Sequence, residues 1–593
     1  MGQTQLKVIN QSKPITSIII LTHNQIEYTK LCIESIRKYT EKDTYEIIII
    51  DNNSTDGTKD WLQEQDDLQL ILNDYNAGFP AGCNQGIEIA NGDNILLLNN
   101  DTIVTENWLT NLRTALTSSN DIGAVGPITN SASYYQTIPT SYKSIADMHN
   151  FASSLNVSNP AKWECRLKLI GFCMLIKREV IDKIGLLDER FTPGNYEDDD
   201  YSFRIVQEGY KLLLCKDTFI HHFGGASFKH VSNEYINLMT NNAKKFIQKW
   251  GFNSTYSSMI RFEIINLIDS PQLEPIRVLE VGCACGATLL EIKNQYPNAE
   301  LYGIELNASE ANIAGKFANV EAEDVEMKLS YPESFFDYMI FADVLQHLHN
   351  PWQVVENVKK YLKPNGKLLI SLPNVMHYSV LRELLDGKWT YRDAGILDRR
   401  HLRFFTRQEM LKMLEDAGYT KIEIGATNLP VNEIDAKLIS DLAALTDYAR
   451  FEEETKAYQY LFRVHNLQEY NRIEQLLKSI NEFHSIEAID ELADLIVSND
   501  SLFTHTRNEI FNYPDCQNLF NMIAISMYNK KLYDYVLPLL QDSLSVNEQD
   551  DDTLYNIGYV LYQSGEFEIA RSYLKKIRDK DEHVMSMIGT THP

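Results

Sequence analysis

Basic charge is scarce in this chain. Its 55 Lys and Arg stand against 82 Asp and Glu, a formal net charge of −27 at pH 7. That balance argues against nucleic acid as a partner, because phosphate binding needs a basic face. Phosphate-bearing small molecules are not excluded, since a metal or a helix N-terminus binds them locally. Cysteine is also sparse. The 8 residues are scattered, no CxxC pair occurs, and Cys283 and Cys285 are spaced poorly for zinc. Such usage fits reduced thiols and a cytoplasmic protein. No apolar run reaches the roughly 18 residues of a membrane span. No transmembrane segment is expected, and membrane contact would be peripheral, at the inner face. The opening MGQTQLKVINQSK has no apolar signal core, and Leu6 breaks the myristoylation pattern.

What is present is ordinary globular material, 44% hydrophobic and 23% charged. The length of 593 residues suggests about three domains. From 14 to 255, β-branched runs such as TSIIILT and YEIIIID alternate with amphipathic segments such as YTKLCIESIRKY. The same alternation runs from IRVLEVG, over 270–426. Both regions predict α/β domains with parallel sheets. From 440 to 593 helical periodicity takes over, predicting an all-α domain. Within it, NLFNMIAISMYNKKLYDYVLPLL lines up with DTLYNIGYVLYQSGEFEIARSYL, with Phe520 over Tyr555 and Leu532 over Phe567. The second copy carries Gly558, Tyr559, Gly565, Phe567 and Ala570 and resembles tetratricopeptide helix pairs. AYQYLFRVHNLQEYNRIEQLL reads as a more divergent unit of the same kind. An unrelated helical bundle is the alternative.

In an open α/β sheet, ligands sit at the carboxyl ends of strands. After the first strands of the chain come Thr22, His23 and Asn24, then Asp51 to Gly57, then Asn99, Asn100 and Asp101. Between the last two clusters lies NAGFPAGCNQGI, whose Gly78, Gly82 and Gly86 permit close backbone approach. One Asp after a strand is ordinarily a helix cap; three polar clusters at three strand ends point to a site. The ordered set THN, DNNSTDGT, NAGFPAGCNQG, NND, GFCMLIKREVIDKIGLLDERF, YEDDDYSFR and HHFGGAS resembles glycosyltransferase family 2, with its GT-A nucleotide-sugar fold.

That resemblance implies roles. Asp51 would hold the nucleotide base of a UDP- or dTDP-sugar, with Thr22, Asn24, Asn53, Asn76, Gly78, Asn84, Asn99 and Asn100 around the donor. Asp101 ends the DxD-like element, here NND, and would bind Mn²⁺ or Mg²⁺ on the diphosphate. Asn99 replaces the first acid of that element. His222, five residues before Ser227, would complete the metal site, with His221 as the alternative. YEDDDYSFR matches the motif whose carboxylate deprotonates the acceptor hydroxyl in an inverting transfer. Asp198 takes that role, with Glu197 second. Crowded carboxylates raise one another's pKa. Asp199 and Asp200 are expected to cap the following helix or bind Arg204.

RVLEVGCACGATLLEI reads as strand, glycine turn and helix, followed by AELYGIE ending on Glu305. An acid there suits two ribose hydroxyls. With AEDVE and FDYMIFADVLQHLHNP, the set resembles class I S-adenosylmethionine-dependent methyltransferases. The resemblance implies cofactor contacts from Glu280, Gly282, Gly286, Glu305, Asp324 and Asp343. Methylating a hydroxyl needs positioning and a proton acceptor, and His347 and His401 are the candidates. Gln346 stands where the family's usual pattern has Glu.

The sequence thus predicts a bifunctional enzyme of glycan biosynthesis. It would transfer a sugar to a surface glycan or a protein and methylate a sugar hydroxyl. The helical C-terminus would hold a protein partner. Two alternatives remain: a flagellin-type protein O-glycosyltransferase with an inactive or regulatory methyltransferase domain, and a non-catalytic scaffold with degenerate enzyme domains.

Overall fold

The computed structural model describes residues 15–224, 233–419, 421–497 and 500–589. The opening segment and Gly225, Ala226 and Ser227 of the HHFGGAS stretch lie outside them.

The first domain is built on isoleucine-rich strands buried on both faces. These are β1 (Thr16–Thr22), β2 (Tyr45–Asp51), β3 (Leu68–Leu72), β4 (Asn94–Asn99), β6 (Ile122–Ile128), β7 (Trp163–Arg166), β8 (Cys173–Lys177) and β9 (Lys211–Phe219). They form one sheet in the order β3-β2-β1-β4-β8-β6-β9-β7. Ile18, Ile20, Ile48, Ile49 and Ile50 are all fully buried, as expected of a sheet covered on both faces. Register decides what gathers at the carboxyl ends. Thr22 pairs with Asp51 and Leu21 with Asn99, so the three polar clusters share one edge. A short ribbon stands beside it, β5 (Thr102–Ile103) pairing antiparallel with β10 (His221–His222).

The second sheet comprises β11 (Arg277–Val281), β12 (Glu300–Ile304), β13 (Asn319–Glu321), β14 (Phe336–Ala342), β15 (Leu362–Pro373), β16 (Lys421–Asn428) and β17 (Ala457–His465). Their order is β13-β12-β11-β14-β15-β17-β16, and β17 runs antiparallel to both of its neighbours. This corrects two expectations. AYQYLFRVH is not a helical repeat unit but the strand β17, inserted between β15 and β16. The second α/β domain therefore takes back residues from the region assigned to helices. The physical reason is pairing: Phe462 and Val464 are fully buried against the sheet, and the backbone is satisfied on both sides.

Beyond β17 the described residues are helical. The helices Cys516–Asn529 and Tyr533–Val546 form one antiparallel pair and Asp551–Gln563 and Phe567–Leu574 another. Gly558 lets Leu574 approach; a Cβ there would stand 2.5 Å from its Cδ2.

The two α/β domains share a core. One buried cluster runs from Ile19 and Leu167 through Phe252 and Ile260 to Leu289 and Leu301. The edge strand β7 docks on the helix Ala287–Gln295: Cys165 exchanges two hydrogen bonds with Asn294, at 2.9 and 3.1 Å. Buried Arg166 is clamped between Glu164 and Glu291. No described helix is long and apolar enough to cross a membrane.

Candidate active sites

The carboxyl edge of the first sheet opens into a cavity of about 590 Å³. Asn99, His222, Glu197, Asp198 and Asp199 all line it.

The β5–β10 ribbon brings Asp101 against His222. The His222 Nε2 lies 3.1 Å from Asp101 Oδ1, and Asn99 Nδ2 is 3.4 Å from the same nitrogen. His222 Nδ1 is 2.6 Å from the Ser131 carbonyl, so that nitrogen carries the proton and Nε2 faces the acid. Burial lowers the His222 pKa, but the hydrogen bond and charge of Asp101 outweigh it, and the net shift is upward. The Asp101 carboxylate and the His222 Nε2 thus converge on one point, where a divalent cation could be held. The donor set of carboxylate, imidazole and amide fits such an ion. His221 is turned away, 2.6 Å from the Tyr142 hydroxyl. Among the described residues, three His, Cys, Asp or Glu groups converge elsewhere, at Glu474, His505 and Glu509 in the helical region.

The structure separates the roles of the acidic run. The helix Glu197–Gln207 starts at Glu197, and no side chain caps it. Asp199 pairs with Lys168 at 2.9 Å and accepts from Ser254. Asp200 is held by Lys249 at 2.6 Å, by the Trp250 indole at 2.8 Å and by Arg204 at 3.6 Å. The expected pairing with Arg204 is present; helix capping by either acid is not. Asp198 has no cation on it. It accepts the backbone amides of Gly171 and Asp199, both at 2.9 Å. Burial and then the Asp199 charge push its pKa up to about 6, against the opposing amides. Glu197 is pushed well above the carboxylate range by burial and Asp198, and its Oε2 has no partner.

Asp51 is fully buried. Its Oδ1 accepts the Ser54 amide at 2.9 Å while Oδ2 has no partner, which leaves an acceptor for a ligand donor. Asn24, at positive φ, binds the Thr55 amide at 2.8 Å, and Asn53 is exposed, also at positive φ. Asn76 accepts the Gly78 amide at 2.9 Å; a Cβ on Gly78 would strike Thr192 and Pro193. Three expected donor contacts are spent inside the protein. Thr22 is buried against Thr29, at 3.2 Å. The Asn100 amide donates to Thr29 at 3.0 Å. Asn84 is tied to Leu187 through both its amide groups and to Glu189. Side-chain polarity in a glycine-rich segment does not distinguish lining a cavity from closing a turn. Lys168, Gly171 and Phe172, also in the wall, were missed; an isolated lysine in the apolar run RLKLIGF was the available signal.

In the second domain, the turn after β11 carries Gly282 and Gly286 at positive φ. Both glycines serve packing: a Cβ would meet Val344 at 2.8 Å in one case and Phe317 at 2.8 Å in the other. Glu280 is buried, with Oε2 unpartnered, and burial pushes its pKa to about 8. Glu305, at the end of β12, accepts the amides of Ala284 at 2.9 Å and Asn307 at 2.8 Å. Asp324 closes a turn by accepting the Glu326 amide. Asp343 is fully engaged, by Gln459 at 2.7 Å, Ser371 at 3.1 Å and Arg261 at 3.0 Å. The orphaned Glu280 oxygen, the acids along the turn and the glycine bend fit a cationic nucleoside ligand. His347 and His401 meet edge to face, ring centroids 4.8 Å apart. Burial, then His401, lowers the His347 pKa.

Residues 17–185 match the family described as glycosyl transferase family 2, and residues 260–424 match a methyltransferase domain family. The first match ends before Asp198 and His222, which the fold brings to the site. The glycosyltransferase AglE of Haloferax volcanii is 24% identical over 209 residues, 34% of this chain and 65% of its own. The malonyl-acyl-carrier-protein O-methyltransferase of Geobacter sulfurreducens is 27% identical over 172 residues, 27% of this chain and 62% of its own. The chain thus spans less than two-thirds of the length of either relative. Among solved structures, a mannosyltransferase from Pyrobaculum calidifontis in complex with GDP-Man and Mn²⁺ is 20% identical. That similarity covers 36% of this chain and 57% of that one, with a TM-score of 0.28. The chain carries a glycosyltransferase family 2 domain and a methyltransferase domain, followed by a helical region.

Proposed function

We propose that the protein transfers a sugar from a nucleotide-sugar with inversion and methylates a sugar hydroxyl in the same molecule. One observation carries the first half: Asp198, held by two backbone amides and in no ion pair among the described residues, lines the same cavity as Asn99 and His222. The acceptor hydroxyl attacks the anomeric carbon, its proton passes to Asp198, and the bond to the nucleoside diphosphate breaks on the opposite side. Asp101, His222 and Asn99 would hold a divalent cation, which supplies Lewis acidity to the departing diphosphate. Asp51 and its unpartnered oxygen would receive the base, as a uridine or thymidine nucleotide. Glu197, whose pKa burial and the neighbouring Asp198 raise, lines the same cavity as a second carboxyl group.

The methyl donor, S-adenosylmethionine when bound, supplies a methyl group on sulfonium. Glu280, Glu305 and Asp324 would hold it so that its methyl group could be offered to the acceptor oxygen. His347 or His401 would accept the hydroxyl proton. The shared core of the two domains supports one acceptor for both, a surface glycan or a protein. The paired C-terminal helices support tetratricopeptide-like capture of a protein partner. The site of action would be cytoplasmic, at or near the inner membrane face.

The test is nucleotide release from UDP-, dTDP- and GDP-sugars, each with Mn²⁺ and with chelator. Metal-dependent release from one donor that acceptor stimulates in the wild type but not in Asp198→Asn supports the reading. Release that ignores chelator and His222→Ala would overturn the metal assignment. Nucleotide binding without turnover on any acceptor would favour a scaffold.

A further inference from the structure

Residues 254–261 join the two domains, touching the first cavity on one side and the acids around the glycine turn of the second domain on the other. On one side, Thr255, Ser258 and Met259 line the first cavity, together with Asp198 and Asp199. Ser254 donates to Asp199, and Lys168 reaches both, at 3.3 and 2.9 Å. The Ile260 amide donates to the Tyr135 hydroxyl, at 3.1 Å, in the wall of that cavity. On the other side, Ser257 donates to the buried Glu310, whose pKa is raised by burial and, in smaller part, by the charge of Glu305. The Arg261 amide donates to Thr288 at 3.2 Å, in the helix that follows the glycine turn. The Arg261 guanidinium lies 3.0 Å from Asp343 and close enough to influence Glu280. It pairs with Asp343, lies 3.9 Å from Glu263 and acts on the charge of Glu280.

We propose that this segment is one wall shared by both sites, and that Arg261 couples them. A methionine-type ligand brings an ammonium group and a carboxylate into an acid-rich pocket. Each gives one member of the Arg261–Asp343 pair a new partner, so the pair must re-form differently when the ligand enters. Arg261 is three residues from Ser258 and seven from Ser254. Its movement is therefore passed to the groups that hold Asp199 and shape the acceptor side of the first cavity. By linkage, an acceptor bound there alters affinity for the methyl donor to the same degree. This order of events suits a chain in which both reactions act on one acceptor. The inference rests on the methyl-donor reading above.

The test is amide hydrogen exchange on the full chain, with and without saturating S-adenosylhomocysteine, alongside calorimetric binding of the same probe. In the wild type, exchange should slow about fivefold or more both at 280–290, around the glycine turn, and at 194–203, around Asp198. In Arg261→Met the probe should bind more weakly but, at saturation, still protect 280–290 while leaving 194–203 unchanged. Ser254→Ala, which leaves the cofactor side intact, should keep the affinity and reduce the response at 194–203. Protection at 280–290 without any change at 194–203 in the wild type overturns the coupling. An unchanged response in Arg261→Met overturns the assignment to that residue. Absence of binding by both measurements overturns the cofactor reading and this inference with it.

Discussion

Asp101 and His222 lie 121 positions apart, yet Oδ1 and Nε2 meet at 3.1 Å. The β5–β10 ribbon fixes one partner, and the Ser131 carbonyl fixes the tautomer of the other. His222→Ala should lower metal-stimulated nucleotide release at least about tenfold, the smaller end of the cost of losing even an outer partner of a metal ligand. Release at rising Mn²⁺ concentration checks it; partial recovery at high metal is expected.

Asp198 carries the pH dependence. A base works only when ionised, so transfer should rise with pH through about 6 and level off above it. Below that midpoint the rate should fall about tenfold per pH unit. A profile flat between pH 5 and 7, with chemistry limiting, would remove Asp198 from the role.

The same shift has a stability sign. The carboxyl is raised from 3.8 to about 6, so its contribution is complete below the unfolded value and is lost as pH rises through the folded one. Asp198→Asn should melt no lower than wild type at pH 5 and higher at pH 8. Thermal melts at the two pH values decide this.

Arg166 is buried between Glu164 and Glu291. Removing it leaves Glu291 buried without its cation, at a cost of about 3–5 kcal/mol. Arg166→Ala should therefore loosen the contact between β7 and the helix Ala287–Gln295. Faster limited proteolysis within 250–275, the chain between the domains, is the expected readout.

Gly286 sits at φ 80 with Phe317 against its missing Cβ. Gly286→Ala should cost about 1–3 kcal/mol and weaken S-adenosylhomocysteine binding. Calorimetry with and without the substitution measures the second effect, and a melting scan the first.

Much of this was written locally. Ile-rich runs such as YEIIIID bury on both faces and must become strands of a covered sheet, whatever surrounds them. Their polar ends, Asp51 and Asn99, follow from strand polarity. The glycine bends at Gly78 and Gly282 follow from backbone conformations that other residues rarely adopt. Other features depended on partners far along the chain. AYQYLFRVH reads equally as helix or strand, and became β17 because two strands offered unpaired backbone on either side. Four adjacent acids are equivalent in the sequence. Lys168 and Lys249 pair with Asp199 and Asp200, Trp250 adds a hydrogen bond to Asp200, and Glu197 and Asp198 are left beside the cavity without an ion pair among the described residues. Asn84 and Asn100 carry the same amide as Asn99, but packing aims them at Leu187 and Thr29. Local chemistry determines which residues can serve a site. Charge pairing and side-chain direction, which act through space, determine which of them do.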